Sequence, residues 1–384
     1  MQPDSTPMVI GIFILLSSMI SLRTGLSVAI IEITAGIIAG NMGIQTEDWM
    51  LYLAGFGGIL LTYLAGTEID TQLMREKFKE CFLIGVASFL LPFLLVYLYT
   101  YYISHWTLPA SLLAGTALST TSLAVVYSVL IETGLARTEI GKLLMASTFV
   151  TDMGTAIAMS ILFVKPSIYT LIFLSISINV IYFADKFTHY FFNHPRWKDK
   201  VVEPEIKYIF VLLLVLMYFA NFGEGHAVLP AFILGLLMSK HFKDSSGSRL
   251  VRNRLRTVAY ALITPIFFIV GGLRVSLPLI ATGGFLFLML FAIKIAGKFF
   301  GTYYLAKKYI PGGSKYTTLL MSTGLTFGTI ASVFGLNSGL IDRQQYSILV
   351  GVVIASAIIP TFIAQKWFMP VHSEDLVEFK NGGK

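Results

Sequence analysis

The sequence predicts an all-α polytopic membrane protein, and three observations carry that prediction. Of its 384 residues 55% are hydrophobic and only 13% charged, and the mean hydropathy is +0.76, outside the range of soluble domains. Thirteen apolar stretches follow one another along the chain, several of them short or broken, of roughly 16 to 30 residues against the ~20 needed to cross a hydrocarbon core. The basic residues alternate with them: 23 of the 28 Lys and Arg follow odd-numbered stretches, three (Lys165, Arg274 and Arg343) follow even-numbered ones, and Lys294 and Lys298 lie inside the eleventh. By the positive-inside rule this places the N-terminus outside and the C-terminus in the cytoplasm. The net charge of +7 is therefore a topology signal, and no nucleic acid is expected as a partner.

The stretches lie at about 7–22, 26–41, 48–69, 79–103, 107–131, 140–164, 166–184, 206–222, 226–239, 257–273, 277–306, 314–336 and 344–368. Ahead of the first, Met1 to Pro7 lacks the basic start of a secretory signal and is expected to remain in the mature chain. The second contains Glu32, which suits a pathway lining or a helix interface equally. The third carries Glu68 at its cytoplasmic end, where interfacial hydration is the default. The fourth carries Cys81, the single cysteine, which excludes an intramolecular disulfide framework and any cysteine-based metal cluster.

The fifth stretch contains Ala-Gly-Thr-Ala-Leu-Ser-Thr-Thr-Ser-Leu-Ala-Val-Val from Ala114 to Val126, and the twelfth contains Met-Ser-Thr-Gly-Leu-Thr-Phe-Gly-Thr from Met321. Both are poor continuous helices. A broken helix leaves carbonyls and amides unpaired at mid-membrane, tolerable where they line a cavity or hold a ligand. Small hydroxylated residues also allow close helix packing, but the two segments fall at corresponding positions when the chain is divided into two groups of six spans. The groups are 1–184, with the seventh span as connector, and 206–368. A cytoplasmic loop at 185–205 separates them and a short tail follows at 369–384. The offset of seven spans, an odd number, runs corresponding helices in opposite directions, as an inverted repeat requires.

The sixth stretch holds Asp152 about 18 Å from its cytoplasmic end, near mid-membrane, at ~1.5 Å per residue. A carboxylate there costs several kcal/mol, roughly 2.5–3.5 on insertion scales, unless it is neutralised or bound. A proton and a small cation would compete for its oxygens. Hard monovalent cations favour oxygen ligands, and Thr120, Thr121 and Ser122 from the fifth stretch, with Ser147, Thr148 and Thr151 from the sixth, are the available hydroxyls. Thr148 shares the face of Asp152, whereas Thr151 points elsewhere. Of the two lysines in the eleventh stretch, Lys294 lies deeper and is the expected buried partner of Asp152. Lys298, one turn on, is expected to snorkel as an interfacial anchor. Glu224 beside His226 in an outer loop reads as solvated charge. Neither metal-ligand spacing nor a phosphate-cradling loop appears, so no cofactor and no enzymatic activity are expected.

Six segments together resemble the monovalent cation/proton antiporter family, in the branch of bacterial Na⁺/H⁺ antiporters and potassium-efflux exchangers. They are Glu32 to Gly40, Leu64 to Asp70, Leu118 to Val126, Thr151-Asp152, Pro265 to Leu273 and Lys294 to Gly301, in family order over nearly the whole chain. The resemblance implies a homodimer in a prokaryotic cell membrane, serving pH homeostasis. It implies a core of spans 4–6 and 11–13, in which two discontinuous helices cross, moving like an elevator against a dimerisation domain built from the rest. It places the ion-binding aspartate at Asp152 and the membrane lysine at Lys294. Electrogenic members carry two adjacent aspartates and electroneutral ones often Asn-Asp, whereas this chain has Thr151-Asp152. The expected activity is thus electroneutral exchange of one cation, Na⁺ first and K⁺ or Li⁺ as alternatives, for one proton. Some relatives add a cytoplasmic nucleotide-binding domain, for which the residues after Met369 are too few. Sodium-coupled organic-anion symport and a cation channel are the competing readings. The symporter would more naturally show a polar anion cavity, and a lone buried carboxylate argues against an open pore.

Overall fold

In the computed structural model, residues 6–24, 26–68, 76–163, 168–193, 203–222, 227–240, 242 and 246–370 are described. Among them every regular element is helical. The first helices are α1 (Thr6–Thr24), α2 (Val28–Asn41), α3 (Asp48–Glu68) and α4 (Phe78–Leu98), the last continued by a π turn over Tyr99–Ile103. Then come α5 (Leu108–Ser119), α6 (Leu123–Glu132), α7 (Glu139–Phe163), α8 (Ile168–Asn193), α9 (Pro204–Phe222) and α10 (Val228–Met238). The chain continues with α11 (Ser246–Val258), a π turn at Ala259–Ile263, α12 (Thr264–Leu273), α13 (Leu277–Thr282) and α14 (Gly284–Tyr309). It closes with α15 (Ser314–Met321), α16 (Thr326–Asn337) and α17 (Arg343–Trp367).

Nine helical stretches among the described residues are long and apolar enough to cross a membrane. The expected second span, α2, is a 14-residue helix, about 21 Å long at 1.5 Å per residue and short for the hydrocarbon core. The sixth, α7, has 25 residues, and its hydroxyls and Asp152 lower its hydropathy. The eighth and ninth expected spans fall on α9 and α10, between which residues 223–226 lie outside the described set.

The fifth and twelfth spans are both interrupted. Thr107 caps α5, its hydroxyl accepting from the Ala110 amide, and Pro109 fits the first turn, where no intrahelical amide bond is needed. The helix stops at Thr120, whose ψ of 150° is extended, and Ser122 then caps α6 by accepting from the Val125 amide. In the later pair α15 ends at Met321 and α16 begins at Thr326, after a non-helical Leu325. Clustered Ser, Thr and Gly give the backbone alternatives to its own ladder.

The chain divides into two compact units, each discontinuous in sequence. The first comprises the chain through Met19, Glu32–Phe78 and Met153–Leu277. Its helices touch backbone to backbone. Gly36 of α2 lies against the Ile269 carbonyl of α12, Gly272 returns the contact to Ile33, and a β-carbon on Gly66 of α3 would stand 2.5 Å from the Phe232 carbonyl of α10. Glu32 is buried within this unit.

The second unit comprises Ile20–Ile31, Lys79–Asp152 and the chain from Pro278. Here Gly85 of α4 faces Ser147 and Val150 of α7, and Gly297 and Gly301 of α14 seat against Pro92 and Ala87 of α4. Asp342 and Gln345 close a capping box on α17, at 2.8 and 2.9 Å. The start of α2 is also gripped here: the Val28 amide donates to Glu132 at 2.9 Å and the Ser27 amide to Gln365 at 3.1 Å.

Candidate functional site

The two interruptions meet inside the second unit. The Ser122 amide donates to the Thr323 carbonyl at 3.2 Å, and the Thr121 hydroxyl to the Met321 carbonyl at 2.8 Å. The Ser122 and Thr326 hydroxyls pair at 3.3 Å. Each break therefore satisfies backbone groups that the other leaves open, which answers the demand of buried polar backbone.

Asp152 approaches this junction from α7. It is 4% exposed, and its carboxyl accepts a hydrogen bond from the Leu123 amide in the first turn of α6, where the helix dipole favours negative charge. Its second oxygen, Oδ1, is buried and has no hydrogen-bond partner among the described residues. Lys298 interacts with it electrostatically.

Lys298 corrects the expectation drawn from depth along the helix. It is fully buried, not interfacial, and its Nζ donates to the Thr121 hydroxyl at 2.8 Å and to the Ser88 hydroxyl of α4 at 3.0 Å. Lys294 is fully buried too, but it serves the other side of the junction. Its Nζ lies 3.4 Å from the Thr120 carbonyl, and a β-carbon placed on Gly324 would stand 2.6 Å from that nitrogen, 3.0 Å from the Thr120 hydroxyl and 3.4 Å from the Ser356 hydroxyl. Lys298 thus acts electrostatically on Asp152, while Lys294 sits between Thr120 of the first break and Gly324 of the second.

The remaining expected ligands divide. Thr148 points into the junction, its hydroxyl donating to the Met321 sulfur at 3.3 Å. Ser147 is buried beside it on α7. The Thr151 hydroxyl turns away and donates to the Gly85 carbonyl at 3.1 Å and the Ser147 carbonyl at 3.2 Å. The bond to Gly85 fastens α7 to α4. The side chain of Glu68, and Asp70, Glu224 and His226, lie outside the described residues.

The structure thus sets a buried carboxylate at the meeting point of two half-helices, and comparison with known proteins gives the chain a family. The model of the transmembrane sodium/hydrogen exchanger family matches residues 10–369. The chain belongs to that family. Among relatives, this exchanger is 24% identical over 357 residues to a probable Na⁺/H⁺ antiporter 3 of Methanocaldococcus jannaschii, covering 87% of this chain and 89% of that protein. It is 25% identical over 382 residues to a Na⁺/H⁺ antiporter of Enterococcus hirae, covering 93% and 96%. The exchanger fold extends to the solved structure of the sodium proton antiporter MjNhaP1 from M. jannaschii, with a TM-score of 0.70 at 15% identity, over 96% of this chain and 100% of that one.

Sequence reasoning missed Ser88 and Ser356 of the exchanger. Each is a single hydroxyl within an apolar run, and neither breaks a helix. The usable signal was their setting: Ser88 lies three residues after Gly85 and Ser356 between Ala355 and Ala357, small neighbours that allow another helix to close in.

Proposed function

We propose that the protein is a secondary antiporter that exchanges a monovalent cation, Na⁺ first and K⁺ or Li⁺ as alternatives, for H⁺ by alternating access, one for one. Asp152 binds proton and cation in turn. The observation that carries this reading is the Asp152 carboxylate, buried at the junction of two interrupted helices with Oδ1 unpartnered among the described residues. A proton or a cation on that oxygen removes the cost of leaving it bare. Thr120, Thr121, Ser122, Thr148 and Ser147 supply neutral oxygens around the junction. With Thr151 committed to Gly85, one carboxylate exchanges its occupants, which gives equal charge in both directions.

The reading extends to architecture. Thirteen spans form two inverted repeats of six, with the interrupted spans 5 and 12 as counterparts. The core of spans 4–6 and 11–13 carries the ion past a dimerisation domain in a homodimer, with the N-terminus outside. The compact unit drawn from Lys79–Asp152 and the chain from Pro278 supports that core.

Reconstituted proteoliposomes with a pH-sensitive dye inside test the reading. Added Na⁺ or K⁺ should change the internal pH, and Asp152→Asn should abolish the response. Normal exchange by that variant would remove the central assignment. A dependence of the rate on imposed membrane potential would overturn the one-for-one stoichiometry.

A further inference from the structure

We propose that Glu132, Tyr316 and the first turn of α2 form a second proton-binding site, apart from Asp152, and that loading it releases the start of α2. The inference goes beyond the exchange reading, which gives a proton to Asp152 alone.

The first amides of a helix have no partner within it and need acceptors from outside. In α2 the Val28 amide donates to Glu132 Oε2 at 2.9 Å, and the Ala29 amide donates to the same carboxyl group. Ser27, just ahead of the helix, stands beside that group, and its own amide is held from α17 by Gln365 at 3.1 Å. These contacts suit the carboxylate form of Glu132, which only accepts and which carries the charge that a helix N-terminus favours.

Next to it stands an acceptor that this form cannot use. Tyr316 of α15 is 0% exposed, and its hydroxyl makes no hydrogen bond among the described residues. Its polar neighbours are Thr133 and Glu132. The Thr133 hydroxyl commits its proton to the Val129 carbonyl at 2.7 Å, so it shows the phenol only lone pairs and draws the phenol proton toward itself. The phenol lone pairs are thereby left to Glu132. A buried hydroxyl without a partner is unfavourable, and a protonated Glu132 has the O–H that relieves it. Binding a proton therefore trades the grip on Val28 and Ala29 for a bond to Tyr316.

All of these groups lie in the second unit. Glu132 is exposed at the end of α6, so a proton reaches it from solvent. Of the charges near these helix ends, Arg23 after α1 and Arg137 beyond α6 are exposed. The nitrogen of Lys315 lies over the Phe368 ring, and that of Lys366 over the rings of Phe362 and Trp367.

The test titrates the protein in lipid by infrared difference spectroscopy, together with hydrogen exchange at Val28. A protonated-carboxyl band that grows as the pH falls should be missing in Glu132→Gln and present in Asp152→Asn. In Tyr316→Phe its midpoint should need about fivefold more protons, the scale of one lost hydrogen bond. Over the same titration, the ratio of exchange at Val28 to that in Glu132→Gln at equal pH should rise by about fivefold. The proposal is overturned if no band is lost in Glu132→Gln, if the midpoint in Tyr316→Phe stays or moves the other way, or if the exchange ratio is flat. Should Tyr316→Phe not assemble, Thr133→Val replaces it. That change frees the phenol proton to turn to the carboxylate, and the midpoint should move in the same direction. None of these readouts depends on transport, so failure here and failure of the exchange reading are told apart.

Discussion

Gly324→Ala places one methyl group at the junction of the two interrupted spans, and its consequences can be worked out atom by atom. The new β-carbon would stand 2.6 Å from Lys294 Nζ, 3.0 Å from the Thr120 hydroxyl and 3.4 Å from the Ser356 hydroxyl. Ordinary contact begins near 3.4 Å, so Ser356 can stay, Thr120 must yield a little, and the ammonium must retreat by roughly 1 Å. Its bond to the Thr120 carbonyl is already 3.4 Å long, and that retreat breaks it. Overpacking of this kind costs about 1–3 kcal/mol, and a buried ammonium deprived of its acceptor adds to the cost. We expect a lowered melting temperature in detergent and at least about a tenfold loss of exchange rate in proteoliposomes. Gly284→Ala is the matched control, because its β-carbon meets nothing within 4 Å. Equal behaviour of the two variants would refute the placement of Lys294 against the second break.

Three further outcomes are expected. Thr121→Ala removes one of the two hydroxyl acceptors of Lys298 and the donor to Met321, and should cost about 1.5–3 kcal/mol in a chemical melt, while Thr121→Ser should retain most of the stability. Thr151→Val deletes the tie to Gly85 and should lower stability by about 1 kcal/mol yet leave the Na⁺ dependence of dye response unchanged, in contrast to any ligand of the ion. Asp342→Ala opens the capping box of α17 and should cost about 1 kcal/mol in the same melt, with exchange preserved.

The interruptions were legible because they are written in local chemistry. Thr120-Thr121-Ser122 and Ser322-Thr323-Gly324 weaken the helix where they stand, and the structure breaks the helices there. The anomaly at Asp152 was legible because a carboxylate amid apolar residues is costly in any fold, and the structure buries it. The roles of the lysines were not, and the reason is geometric. Depth counted along α14 is a one-dimensional measure, and it sends Lys298 toward the interface. Burial is decided sideways, by Gly297 and Gly301 admitting α4, and Ser88 arrives on a helix 210 residues away in sequence.

The glycine seats of the first unit have a consequence for genetics. Gly36, Gly66, Gly235 and Gly272 touch carbonyl groups of neighbouring helices, so no side chain fits at any of them without displacing main chain. A saturation library selected for growth on salt should therefore reject substitutions at these positions as firmly as at Asp152, although a glycine has no group with which to hold an ion. Selection maps of such a protein record how closely its backbones lie as well as where its chemistry is done.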